Sequence, residues 1–249
     1  MNLREALFQS KKPVHQFHDE NSLMWIQTNR VNILPKNYFL PDQFVKIVAA
    51  FKPWLFLEDF WFTDSLIRDG IHGYRHNSRV AIHALYLAVQ NYDLSKDELK
   101  AIMFACLIHD CRRENDNADR EHGLRAANWL NERIDILPED IQIFADHIKF
   151  AITVHTDLYD KIVEESLYDT FGLFVDILKT ADSMDRYRFP RSDWWFLEKF
   201  VKLIPTQDHL AFAFDLALQT EFLYLSCKDN RKSVMTTWSR LSKNKRSPK

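Results

Sequence analysis

Between residues 80 and 185 apolar side chains return at intervals of three and four. Val80, Ala84, Leu87 and Ala88 form one stripe. Leu99, Ile102, Met103 and Cys106 form a second that runs up to His109, and Ala126, Ala127, Leu130 and Ile134 a third. Ile141, Phe144, Ala145, Ile148, Ala151, Ile152 and His155 keep the helical period closely, and Phe171, Phe174, Val175, Leu178, Ala181, Asp182 and Asp185 keep it again. A stripe of this kind marks the buried face of an amphipathic helix. Helix starts stand beside the stripes: Ser95-Lys96-Asp97-Glu98 has the form of a capping box, and Pro138-Glu139-Asp140 suits a first turn. Residues 193–204 and 208–227 are aromatic and helical in character, and Trp194, Trp195, Phe196 and Phe200 are expected to bury the outside of the bundle. The pattern predicts an all-α fold, a single bundle of about seven to ten helices.

Composition narrows this picture. A chain of 249 residues that is 46% hydrophobic fits one domain with a sizeable core. Its 4 glycines favour helices over sheets, and Gly70, Gly73, Gly123 and Gly172 assemble no phosphate-cradling loop. The expected organisation is an extension with short helices over 1–50, interrupted by Pro13, Pro35 and Pro41, then a helical core over 51–205. A C-terminal helix over 206–249 then packs on the core and ends in a basic tail carrying Lys243, Lys245, Arg246 and Lys249. With 33 basic and 35 acidic residues the net charge is -2, which disfavours a nucleic-acid partner. Cys106, Cys111 and Cys227 are odd in number and form no Cys-x-x-Cys, so they read as reduced thiols. The N-terminus lacks a signal-peptide core, and no stretch approaches ~18 uncharged apolar residues. The expectation is a cytoplasmic protein with no membrane partner; export by a signal-independent route leaves no mark in a sequence.

The stripes end on residues that do not belong in a core. Asp182 and Asp185 share the face of Phe171, Phe174 and Leu178, and His155 lies on the buried face of its helix. His109 and Asp110 follow the apolar run Ala105-Cys106-Leu107-Ile108. An inward carboxylate is costly unless it is paired or binds a metal. A lone inward histidine is more often a hydrogen-bonded core residue than a ligand, and an Asp at a helix end is usually a cap. Several such residues on separate helices can instead surround one cation, as helix bundles commonly arrange.

The order of these residues carries a resemblance. His72-Gly73-Tyr74-Arg75-His76-Asn77-Ser78-Arg79-Val80 comes first, then Leu107-Ile108-His109-Asp110-Cys111-Arg112-Arg113. His122-Gly123-Leu124-Arg125-Ala126-Ala127 and Thr153-Val154-His155 follow, and Asp182-Ser183-Met184-Asp185-Arg186 closes the series. Over residues 65–190 the chain resembles the HD-domain metal-dependent phosphohydrolase superfamily. The resemblance implies that His76, His109, Asp110 and Asp182 are metal ligands. It implies that His122 and His155 join them in a two-metal centre in which Asp110 bridges the ions. His72 then backs a ligand or faces substrate, and Arg113 stands where some cyclic-dinucleotide phosphodiesterases of the superfamily carry a lysine. No Gly-Tyr-Pro follows His155, where the chain reads Thr156-Asp157-Leu158-Tyr159-Asp160; this argues against the branch named for that motif. The interval from Asp110 to His122 is short, which leaves a one-metal centre without His122 as the alternative.

Such a donor set suits one or two divalent ions of Mn, Fe, Co, Ni or Zn, with Mg also admitted. The expected function is metal-dependent hydrolysis of a phosphomonoester or phosphodiester in a small, nucleotide-like substrate, with metal-activated water as the nucleophile. Asp110, Asp182, Asp185 and Arg113 are the candidate catalytic groups, with Asp182 or Asp185 orienting or deprotonating the water. His72, Arg112, Arg186 and Lys179 are candidates for substrate binding, and Arg188 also flanks the motifs. Tyr187 and Trp194 are candidates to stack on a base. The competing readings are a non-catalytic nucleotide-binding or structural-metal domain and a metal-dependent nuclease. Substrate identity and oligomeric state are not legible in the sequence.

Overall fold

The computed structural model describes residues 18–116 and 118–243. Expectations for residues 1–17, and for Lys245, Arg246 and Lys249 of the basic tail, lie outside the described residues. Among the described residues eleven α-helices run in the order α1 (Glu20–Thr28), α2 (Asp42–Phe51), α3 (Ser65–Asp69), α4 (Tyr74–Asn91), α5 (Lys96–Ile108), α6 (His122–Asn131), α7 (Ala145–Val154), α8 (Tyr159–Ile162), α9 (Tyr168–Met184), α10 (Gln207–Cys227) and α11 (Asn230–Leu241). Short 3-10 turns join several of them, and the described residues contain no strand. The fold is all-α.

The local signals at helix starts hold. The Ser95 hydroxyl accepts from the Glu98 amide at 3.2 Å, and the Glu98 carboxylate accepts from the Ser95 amide at 2.8 Å, which closes the box that starts α5. After Pro138 the chain makes a 3-10 stretch, Glu139–Phe144, before α7 proper begins. Its inward positions, from Ile141 to His155, are those of the apolar stripe.

The stripe on α4 understates its burial. Every residue from Tyr74 to Ala88 is buried, so this helix is wrapped on all sides by α2, α5, α9, α10 and α11. Its polar side chains Arg75, His76, Asn77, Arg79 and His83 are therefore inside the protein. Leu23 and Ile26 of α1 and Phe44, Val48 and Phe51 of α2 join the same core, packed against α10 and α4.

Residues 193–204 differ from the helical expectation. They form only two 3-10 turns, Ser192–Trp194 and Glu198–Phe200. Pro190 and Pro205 bracket the segment and disfavour helix in the residues before them. Trp195 is buried, whereas Phe200 is 44% exposed and covers nothing. Helix α10 is long and apolar enough to cross a membrane by length and composition, but it packs in the bundle, where its Glu221 and Asp215 are ion-paired.

Candidate metal centre

Six side chains from five helices meet at one end of α4. His76 stands on the first turn of α4, and His109 caps α5 with Asp110 next in the following turn. His122 opens α6, His155 caps α7, and Asp182 lies in the last turn of α9. Helix ends supply these residues because a terminal side chain can reach past its own helix without burying unpaired backbone. Two glycines set the approach. A Cβ on Gly123 would lie 2.1 Å from the Ile152 carbonyl oxygen, so only glycine lets α6 press on α7 and bring His122 to His155. A Cβ on Gly73 would lie 1.9 Å from the Arg68 carbonyl oxygen, so glycine is required where the α3 end meets the start of α4.

The donor atoms converge on Asp110. His76 Nε2 lies 3.4 Å from Asp110 Oδ2 and 3.3 Å from Asp182 Oδ1. His109 Nε2 is 3.7 Å from the same Asp110 oxygen. The other oxygen, Oδ1, lies 2.7 Å from His122 Nε2 and 3.9 Å from His155 Nε2. Two groups able to hold a cation result, His76–His109–Asp110 and Asp110–His122–His155, and Asp110 belongs to both. The short interval between Asp110 and His122 thus does not displace His122. The His122 ring is held by the Asp119 carbonyl, and Asp119 is held by Arg125.

The second nitrogen of each ring decides the fit to a cation. His76 Nδ1–H donates to Asp185 at 2.8 Å, His109 Nδ1–H to the Cys106 carbonyl at 2.7 Å, and His155 Nδ1–H to the Ile152 carbonyl at 2.7 Å. His122 Nδ1–H donates to the Asp119 carbonyl. With Nδ1 protonated in all four, any ring that carries no second proton presents its lone pair on Nε2. The Nε2 atoms face one another, 3.2 Å apart for His76 and His109 and 2.9 Å for His122 and His155. Two lone pairs at such a distance repel unless a proton or a metal ion lies between them. The orienting contact behind each imidazole is what metal-binding histidines require. The residues fit a divalent ion.

The titration of the cluster points the same way. Burial and Arg188 oppose a charge on His76, but hydrogen bonds to Asp110, Asp182 and Asp185 hold its pKa up at about 9. Burial likewise opposes protonation of His122, and Asp110 overcomes it, raising that pKa. His109 is lowered by burial, and His155 is lowered well below the usual range by burial and by its neighbours His122 and His109. In each facing pair one ring is favoured to take a proton and the other is not. Burial pushes the Asp110 carboxyl up, but His109, His122 and Arg113 outweigh it and keep it ionised.

Not every expected residue faces this cluster. Helix α9 ends at Met184, and Asp185 starts a 3-10 turn, so it leaves the face of Asp182. Its carboxylate, fully buried, bonds His76 Nδ1 from behind and pairs with Arg79 and Arg188. Arg112 turns away and stacks on Trp129 at 4.1 Å, outside the cleft. Lys179 donates to the carbonyls of His155 and Asp157, tying α7 to α9, and also borders a cleft. Tyr187 is buried against Trp195 and Phe214 and cannot stack on a ligand. Arg113 lies 3.3 Å from Asp110, and His72 donates from Nδ1 to Asp116 at 2.9 Å with burial pushing its pKa down to about 3.

Above the cluster lies a cleft of about 350 Å³, bordered by His72, Arg113, Arg186, Arg188 and Trp194 beside the ligands. The sequence reading missed Arg79 and Glu221, which complete the ion-pair network behind His76. Each lies on a long, mostly apolar helix, the signal that could have found them. Comparison of the chain with protein-family profiles, curated proteins and solved structures finds no match. The protein is an all-helical chain with buried His/Asp clusters that could hold a metal ion.

Proposed function

We propose that the chain is a metal-dependent phosphohydrolase of the HD-domain type. The observation that carries this reading is the set of four Nε2 atoms gathered around one shared carboxylate, each ring fixed from behind. A structural site is closed by protein on all sides, whereas a catalytic one keeps an open face. This cluster borders an open cleft, and Asp182, at 29% exposure, is its most accessible member. His76, His109, Asp110 and Asp182 hold one ion, and Asp110, His122 and His155 a second. When bound, such ions supply acidified water and neutralise charge on phosphoryl oxygens. Arg186, exposed at the cleft, binds a phosphoryl oxygen through paired N–H groups. Arg113 and Arg188, already paired with Asp110 and Asp185, set the positive wall of the cleft. His72, neutral with its Nδ1–H held by Asp116, accepts a hydrogen bond at Nε2.

Metal content by elemental mass spectrometry tests the reading, together with turnover of nucleotides and aryl phosphates in added Mn. About two ions per chain are expected, as in two-metal phosphatases. Asp110→Ala should lose both ions and all turnover. Metal binding without turnover on a broad panel would leave a structural or sensing site, and cleavage of single-stranded nucleic acid alone would leave a nuclease.

A further inference from the structure

The cleft does not end at one wall. It forks at His155, Thr156, Asp182 and Arg186, which border two arms at once. One arm, about 350 Å³, runs toward Arg188, Phe189 and Trp194. The other, about 440 Å³, runs toward Tyr159, Lys179, Lys199 and Phe200. Both arms pair aromatic surface with a cation. Arg188 lies 4.1 Å from the centre of the Phe189 ring in the first. In the second, Lys199 lies 4.8 Å from the Phe200 ring and Lys179 lies 5.1 Å from the Tyr159 ring.

The second arm has a braced wall. Lys202 donates to the Tyr168 hydroxyl at 2.6 Å and lies over the rings of both Tyr159 and Tyr168. Both tyrosine hydroxyls donate to Asp176. On that wall Leu158 and Phe200 remain 59% and 44% exposed, apolar surface that gains by being covered. At the fork, Arg186 has no carboxylate partner among the described residues, whereas Arg113 and Arg188 each have one.

A phosphomonoester carries one organic substituent on phosphorus and a phosphodiester carries two. The two substituents leave phosphorus in different directions, and each needs its own wall. A diester also carries a single negative charge, which the unpaired Arg186 matches. We propose that the substrate is a phosphodiester, with one substituent in the Phe189–Trp194 arm and a planar or apolar substituent in the Tyr159–Phe200 arm. This rests on the phosphohydrolase reading. One P–O ester bond breaks as the oxygen of water bonds to phosphorus. One proton of that water goes to the departing oxygen, leaving an alcohol and a phosphomonoester that carries the other proton.

The test uses the full chain with Mn and compares bis(p-nitrophenyl) phosphate with p-nitrophenyl phosphate. The diester should be preferred in kcat/KM by roughly tenfold or more, a factor within the range of stacking on one aromatic wall. Phe200→Ala and Trp194→Ala should each lower the diester-to-monoester ratio by a similar factor, of order tenfold. Binding is read separately, by the shift in Tm that diphenyl phosphate and phenyl phosphate produce; the diester should give the larger shift, and Phe200→Ala should remove the difference. Turnover with a monoester preference, or a ratio that only one of the two variants changes, overturns the two-armed site and leaves the hydrolase reading standing. A diester preference in binding without any turnover does the reverse. Neither binding nor turnover of either ester removes both.

Discussion

His76 stands between two clusters of charge that are built on opposite terms. On its Nε2 side, imidazoles and carboxylates point at one another, and only a proton or a metal ion reconciles them. On its Nδ1 side every charge already has its counterpart. Asp185 receives Arg79 at 2.6 and 3.0 Å, Arg79 reaches Glu221 at 2.7 Å, and Glu221 also takes Arg75 at 3.0 Å and His18 at 3.2 Å. Both clusters are buried, and the carboxylates of both stay ionised. The difference is completeness. The rear cluster is finished by the chain itself and serves to hold a ring. The front cluster gathers groups that could hold a metal ion, and it is the one that meets the cleft.

The largest effect should come from breaking the finished cluster. Arg79→Met leaves Asp185 and Glu221 buried without their shared cation, and removing one partner of a buried pair costs about 3–5 kcal/mol. Urea unfolding measures this; a loss under about 1 kcal/mol, the range of exposed pairs, would mean that the network carries little of the fold.

A third kind of buried histidine sharpens the contrast. His83 and His209 lie with ring centres 5.6 Å apart, and none of their four ring nitrogens has a hydrogen-bond partner among the described residues. Here burial outweighs the pull of the Asp185 carboxylate, and it pushes the His83 pKa down from 6.5 to about 4. The unfolded chain therefore binds more protons than the folded one between these values. The contribution is whole above pH 6.5 and is lost as pH falls to about 4, a change of about 3 kcal/mol. His83→Phe should flatten the fall in unfolding free energy over this interval. An unchanged slope would assign the acid sensitivity to other groups.

The smallest effect concerns the link between the two clusters. Asp185→Asn keeps a side chain of the same shape but weakens the hold on the His76 ring; because it also takes a buried charge from Arg79 and Arg188, the readout is the metal affinity of the folded protein. Loss of such a backing contact typically lowers metal affinity by about 10–100-fold. Calorimetric titration with Mn or Zn reads it directly, and an unaltered affinity would show that the rear cluster has no part in presenting His76.

Much of this was legible before any coordinates. Helical spacing marked His109, Asp110, His155 and Asp182 as inward positions, because a period of 3.6 residues fixes which side chains share a face. The order of motifs added His76 and His122. Spacing also marked Asp185 as inward, and it is buried; the 3-10 turn after Met184 sets its carboxylate behind the His76 ring. Aromatic richness misled at 193–204, where the chain makes only two short 3-10 turns before Pro205.

The sequence by itself determined the all-helical class, the helix starts and the residue types that could bind a cation, because these depend on neighbours within a turn or two. Only the tertiary structure decided which nitrogen of each histidine is free, that His122 returns to Asp110, and that Arg79 meets Glu221. It alone decided that the cleft forks. Those outcomes depend on groups far apart in the chain, and hydrogen bonding and burial choose among them only once the helices have packed.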